Sequence, residues 1–79
     1  PEATPLRVLL VEDIADNREM LRDLLSLWGH TVDVAADGEQ GLSAYRITRP
    51  DLALIDLGLP GIDGFELARR IRDLDDPHS

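Results

Sequence analysis

Two residue types are absent from the 79-residue chain, cysteine and lysine. Without cysteine, disulfides and thiolate zinc sites are excluded, and a cytoplasmic setting is the simplest expectation. Without lysine, all eight basic residues are arginine, set against sixteen acids for a net charge of −8. Such a surface repels nucleic acid and anionic membrane, so neither is expected as a partner of this segment. No apolar stretch is long enough to span a bilayer or to act as a signal peptide. Aromatic residues are few, one each of Trp, Tyr and Phe. Trp28 and Tyr45 are read as packing residues, not as stacking platforms. An initiator methionine is missing too. The chain opens on Pro1 in the linker-like stretch PEATP, which suggests a segment of a larger protein.

What remains has the composition of a globular domain. At 43% hydrophobic and 30% charged residues the chain can bury a core. Its length lies near the lower end of what packs alone. Residues 1–5 read as linker and residues 6–79 as one domain.

Three blocks repeat one grammar. LRVLLVED opens with a continuous apolar run of the kind a strand buried on both faces needs. Asp16 and Glu19 then form an Asp-x-x-Glu pair resembling a capping box, and Met20, Leu21, Leu24, Leu25 and Trp28 follow at helical spacing. Gly29 supplies the stop. The second block is the short strand TVDVAA, an Asp37-x-x-Gln40 cap, a helix through Leu42 to Ile47, and Pro50 as breaker. The third is a strand over Leu52 to Leu57, a loop, and an Asp63-x-x-Glu66 cap. Its helix packs Leu67, Ala68, Ile71 and Leu74 inward before Pro77.

Strands alternating with helices predict βαβ units and a parallel sheet, in the order β1-α1-β2-α2-β3-α3. Crossovers are right-handed. Strand order 2-1-3 then puts helices on both faces, whereas order 1-2-3 would leave one face of an apolar sheet wet. The predicted fold is therefore α/β and flavodoxin-like, with a topological switch point between β1 and β3 at their carboxyl ends.

Glu12 and Asp13 end the first strand at that point, and Asp56 ends the third. Taken singly, each can be a solvated acid at a strand end. Together they repel one another unless a cation or proton intervenes, and hard oxygen ligands without histidine or sulfur suit Mg²⁺. The loop after Asp56 reads GLPGIDG. Gly58 stands where its carbonyl could turn toward the same cation, Pro60 fixes φ, and Gly61 permits a positive φ. For Gly61 and Gly64 alone an ordinary strand-to-helix turn is an adequate reading.

Other motifs fail. Gly58, Gly61 and Gly64 make G-x-x-G-x-x-G, not the dinucleotide-binding G-x-G-x-x-G. A calcium loop starting at Asp56 would need oxygen ligands where Pro60 and Leu67 stand. His30 and His78 lack partners at ligand spacing and read as surface residues. Arg69, Arg70 and Arg72 line the polar side of the third helix, as a solvated face or a docking surface.

The segments VLLVED and IDLGLPGIDGFELARRIR resemble the receiver domain of two-component response regulators. The acid pair after β1, the aspartate after β3, and the Leu-Pro and Asp-Gly that follow match that family's pattern over nearly the whole chain. The resemblance implies that Asp56 is the phosphoacceptor, that Asp13 binds Mg²⁺ directly with help from Glu12, and that Gly58 adds its backbone carbonyl. It also implies a phosphohistidine on a sensor histidine kinase or phosphotransfer protein as the donor, and a signalling domain rather than an enzyme. EDIADNREMLRDLL is similar to receivers attached to hybrid sensor kinases.

Against that family the chain shows three βα units where receivers have five. Residues 6–79 are thus expected to form a partial receiver, without the family's Ser/Thr after β4 or its Lys after β5. An open β3 edge would then favour a homodimer. Two other readings stay in view. One is a receiver-like module that binds proteins without being phosphorylated. The other is a phosphatase of the haloacid dehalogenase type, which needs a second acid where Gly58 stands.

Overall fold

The run RVLLV forms β1 (Arg7–Val11), in which Val8 to Val11 are each no more than 2% exposed. A strand apolar on both faces is stable only at the centre of a sheet covered on both sides. That is where it lies. In the computed structural model β2 (Thr31–Ala35) and β3 (Leu52–Ile55) flank it in the order β2-β1-β3, both parallel to it. The described residues are 4–56, 58–59 and 61–75. The Pro60 turn, the Leu57 end of the third strand, the Pro77 stop, His78 and most of the linker-like start lie outside them.

The side-chain alternation of β1 sorts the helices. Leu9 and Val11 point to one face, where they join Ala35, Tyr45, Leu67 and Ile71 in a single buried cluster. Two helices bring Tyr45, Leu67 and Ile71, α2 (Gly38–Thr48) and α3 (Gly64–Asp75), and they pack on each other there. Leu67 is fully buried and Ile71 nearly so, while Ala68 and Leu74 are half-buried, the inward stripe that the sequence predicts. Helix α1 (Ala15–Leu27) lies over β1 and β2 on the opposite face.

Helix ends follow local chemistry, with one correction. Asp37 caps α2, its carboxylate accepting the Gln40 N–H at 2.8 Å, and the Gln40 side chain accepts the Ala36 N–H at 3.1 Å. Asp63 accepts the Glu66 N–H at 2.9 Å. The Asp16–Glu19 pair is not a capping box. Helix α1 begins at Ala15 with Ile14 as its cap residue and no side-chain cap. The Ile14 carbonyl already accepts the Arg18 N–H at 2.9 Å, so the ladder starts ahead of Asp16. Asp16 instead supplies negative charge to the first turn, where it favours the helix dipole. Gly29 ends α1 at φ +94°, a conformation that an L side chain resists.

The broad apolar face expected of α1 is only partly covered. Leu21 and Leu25 are half-buried, whereas Met20 is 60% and Trp28 62% exposed. Trp28 is therefore not a packing residue among the described contacts. It sits at the helix end, where the chain turns away toward β2. Tyr45 does pack: it is buried, its hydroxyl donates to the Asp75 carboxylate, and Arg49 stacks 5.4 Å above its ring. The Asp75 carboxylate raises the Tyr45 pKa, chiefly through that hydrogen bond. Arg49 also pairs with Asp75 at 2.8 Å, and it ends α2 in the left-handed conformation (φ +45°), its N–H donating to the Tyr45 carbonyl just before Pro50.

Candidate functional site

Backbone hydrogen bonds carry the sheet one residue beyond β1 and β3. The Glu12 N–H donates to Ala35 at 3.1 Å, and the Asp56 N–H donates to Val11 at 3.0 Å. Both acids are thus fixed at the carboxyl edge of the sheet, on neighbouring strands. Asp13 follows in the connection to α1. The carboxylates of Glu12, Asp13 and Asp56 bring one oxygen each to within 4.8 Å of one another. Glu12 is buried at 8% exposure, Asp56 is half-buried and Asp13 is exposed.

Charges this close oppose one another. At such separations each pair costs of order 1–3 kcal/mol, depending on how much water screens it. Among the described residues the side-chain donor to the Glu12 carboxylate is Asn17 Nδ2, at a long 3.4 Å. Among the described residues no guanidinium pairs with any of the three carboxylates. An octahedral Mg²⁺ holds neighbouring oxygens about 3–4 Å apart and keeps several waters, so it tolerates a site that offers only one or two carboxylates. Three hard oxygens within 4.8 Å fit that ion, and the exposed Asp13 can rotate to close the gap.

Gly58 belongs to the same corner. Its N–H donates to Asp56 Oδ1 at 2.9 Å, a local turn that orients the carboxylate. Among the described residues a Cβ at Gly58 would meet only that oxygen, at 3.5 Å, an ordinary contact. Gly61 does need its freedom, at φ +73°. Beside the acids opens a pocket of about 330 Å³, with Glu12 and Asp56 at its rim and Leu10, Leu21 and Leu54 on its walls.

Two contacts here are not foreseen from the sequence. Arg18 Nη1 donates to the Glu12 carbonyl at 2.9 Å and reaches the Asp13 carbonyl at 3.5 Å. Asn17 reaches Glu12 as described. Both stand in the first turn and a half of α1, and a helical side chain lies back over the turn that precedes it. Their distance from the acid pair was the available signal. His30, expected at the surface, is half-buried, and its Nδ1 accepts the Leu6 N–H at 3.0 Å.

The chain as a whole has known counterparts. The family model for the response regulator receiver domain matches residues 8–79. The chain belongs to the response regulator receiver family. The receiver is 52% identical over 68 residues to the transcriptional regulatory protein AfsQ1 of Streptomyces coelicolor, covering 86% of this chain and 30% of that protein. It superposes on the chemotaxis protein CheY4 of Vibrio cholerae with a TM-score of 0.87 at 30% identity, covering 91% of this chain and 60% of the other. The response regulator TrrA of Thermotoga maritima, solved in complex with Mg²⁺-BeF, gives a TM-score of 0.83 at 37% identity over 86% of this chain and 59% of that one. The receiver therefore spans under a third of the AfsQ1 length and about three fifths of these solved chains. Its sheet order agrees with that membership.

Proposed function

We propose that the receiver accepts a phosphoryl group on Asp56 in a two-component phosphorelay, with Mg²⁺ held by Glu12, Asp13, Asp56 and the Gly58 carbonyl. One observation carries the reading. In a chain of this family, three carboxylates from adjacent strand ends converge within 4.8 Å at the switch point of the sheet.

The residues divide the work. Asp56 Oδ1 accepts the Gly58 N–H, which leaves Oδ2 as the oxygen free to attack among the described contacts. An O–P bond forms from that oxygen as the P–N bond of a phosphohistidine breaks, and the bonding pair returns to the imidazole nitrogen. Carboxylate nucleophiles of this kind form acyl phosphates. Glu12 and Asp13 bring the negative charge that recruits the metal. Bound there, Mg²⁺ would neutralise and orient the phosphoryl oxygens.

In this reading the donor is a sensor histidine kinase or a phosphotransfer protein. The receiver itself acts as a signalling domain rather than a turnover enzyme, in the cytoplasm where a regulator similar to AfsQ1 would work. No helix among the described residues is long and apolar enough to cross a membrane. The test uses the full-length protein and acetyl phosphate as a small donor. Wild type gains the mass of one phosphoryl group on Asp56, and Asp56→Asn gains none. Labelling that persists in Asp56→Asn sinks the assignment.

A further inference from the structure

We propose that Arg18 is a positioning residue of the acid corner: its guanidinium anchors the Glu12 and Asp13 carbonyls so that both side chains stand ready opposite Asp56. The inference rests on the Mg²⁺ reading above.

The two carbonyls lie in a gap between hydrogen-bond systems. The β-ladder ends with the Glu12 N–H on Ala35, and the α1 ladder begins with the Arg18 N–H on Ile14. Among the described residues no backbone N–H takes the Glu12 or Asp13 oxygens, and Arg18 Nη1 does, at 2.9 and 3.5 Å. A loop of two acids that repel each other and Asp56 has every reason to open. Tying its carbonyls back to α1 opposes that motion without occupying a carboxylate oxygen, so the ligand atoms stay available. Losing a group that orients a metal ligand from behind commonly weakens metal binding by about 10- to 100-fold.

Charge alone predicts the opposite sign. A guanidinium close to a cation site repels the cation, so its removal would tighten Mg²⁺ binding if electrostatics were its main effect. Anchoring predicts weaker binding. The site is open to solvent at Asp13, which screens the charge effect, whereas the backbone anchor is local.

The full-length protein is titrated with MgCl₂ and followed by the amide shifts of Asp13, Asp56 and Gly58. Arg18→Met keeps the aliphatic stem but has no donor, and is expected to weaken Mg²⁺ about 10-fold. Arg18→Lys, whose ammonium can donate to both carbonyls, recovers most of that loss. Should Arg18→Met fail to fold, Arg18→Gln, too short to reach the carbonyls, replaces it with the same expected loss. Metal-free melting is recorded alongside. A variant with a lower Tm but wild-type Mg²⁺ affinity shows a merely structural arginine and overturns the proposal, as does tighter binding. A wild type without any Mg²⁺ response overturns the metal reading itself, a result that no variant is needed to see.

Discussion

Replacing Gly41 by alanine sets two well-measured effects against each other. Gly41 lies inside α2 and is buried. Helix propensity alone says that alanine gains about 1 kcal/mol there, because glycine loses more backbone freedom on folding. Packing says otherwise. A Cβ at this position would lie 2.9 Å from Val11 Cγ2 and 3.3 Å from Leu67 Cδ2. Both neighbours are fully buried, and Val11 is a β-branched residue on the central strand, with little freedom to turn aside. Overpacking of this kind typically costs about 1–3 kcal/mol. The net expectation for Gly41→Ala is a loss of about 1 kcal/mol. In a domain of this size that lowers Tm by roughly 4–8 °C. Because Val11 directly precedes Glu12, the same displacement should move the Glu12 amide resonance. Urea denaturation and thermal melting followed by circular dichroism give the stability. Gly58→Ala serves as control, since its Cβ would meet an ordinary 3.5 Å contact. A Gly41→Ala variant more stable than wild type would refute the reasoning, because it would mean that α2 can lift off β1 at no cost.

Two further outcomes are expected. The Glu66 carboxyl is held by Arg69 at 2.5 Å and by Arg70 at 3.2 Å, and these bonds lower its pKa from 4.5 to about 2. A depressed carboxyl contributes its stability fully above the unfolded value and loses it as pH falls through the folded one. The stability difference between wild type and Glu66→Gln should therefore be largest above pH 4.5 and shrink toward pH 2. It is small, because the pair is partly exposed, and a difference constant across that window would count against the pairing. The second outcome concerns β3, whose outer edge, Leu52 to Ile55, has neither proline nor charge, and whose Leu52 and Leu54 are 42% and 37% exposed. A polypeptide of these 79 residues alone is expected to self-associate through that edge in sedimentation experiments. A monomer at every concentration, with protected β3 amides, would remove that expectation.

The legibility of this fold varied with the kind of signal. Caps written in a single side chain, Asp37 and Asp63, were readable, because an Asx residue satisfies a donor three residues on, whatever surrounds it. The same spelling at Asp16 misled, because Ala15 can take a helical conformation and the Ile14 carbonyl was already engaged. The stripe on α3 was readable because both α2 and the sheet cover it. The stripe on α1 was not, because an apolar pattern states a capacity for burial and not the presence of a cover, and Trp28 stands in the open.

By itself the sequence determined the alternation of strands and helices, the strand order and the three acids, since periodicity, crossover handedness and strand-end position are local or topological constraints. Only the tertiary structure decided how those acids are supported. The Arg18 bonds to two carbonyls, the His30 bond to Leu6 and the Tyr45–Asp75–Arg49 knot all join residues whose meeting depends on where neighbouring elements come to rest. A hydrogen bond is made or lost over a few tenths of an ångström, a precision that packing supplies and residue pattern does not.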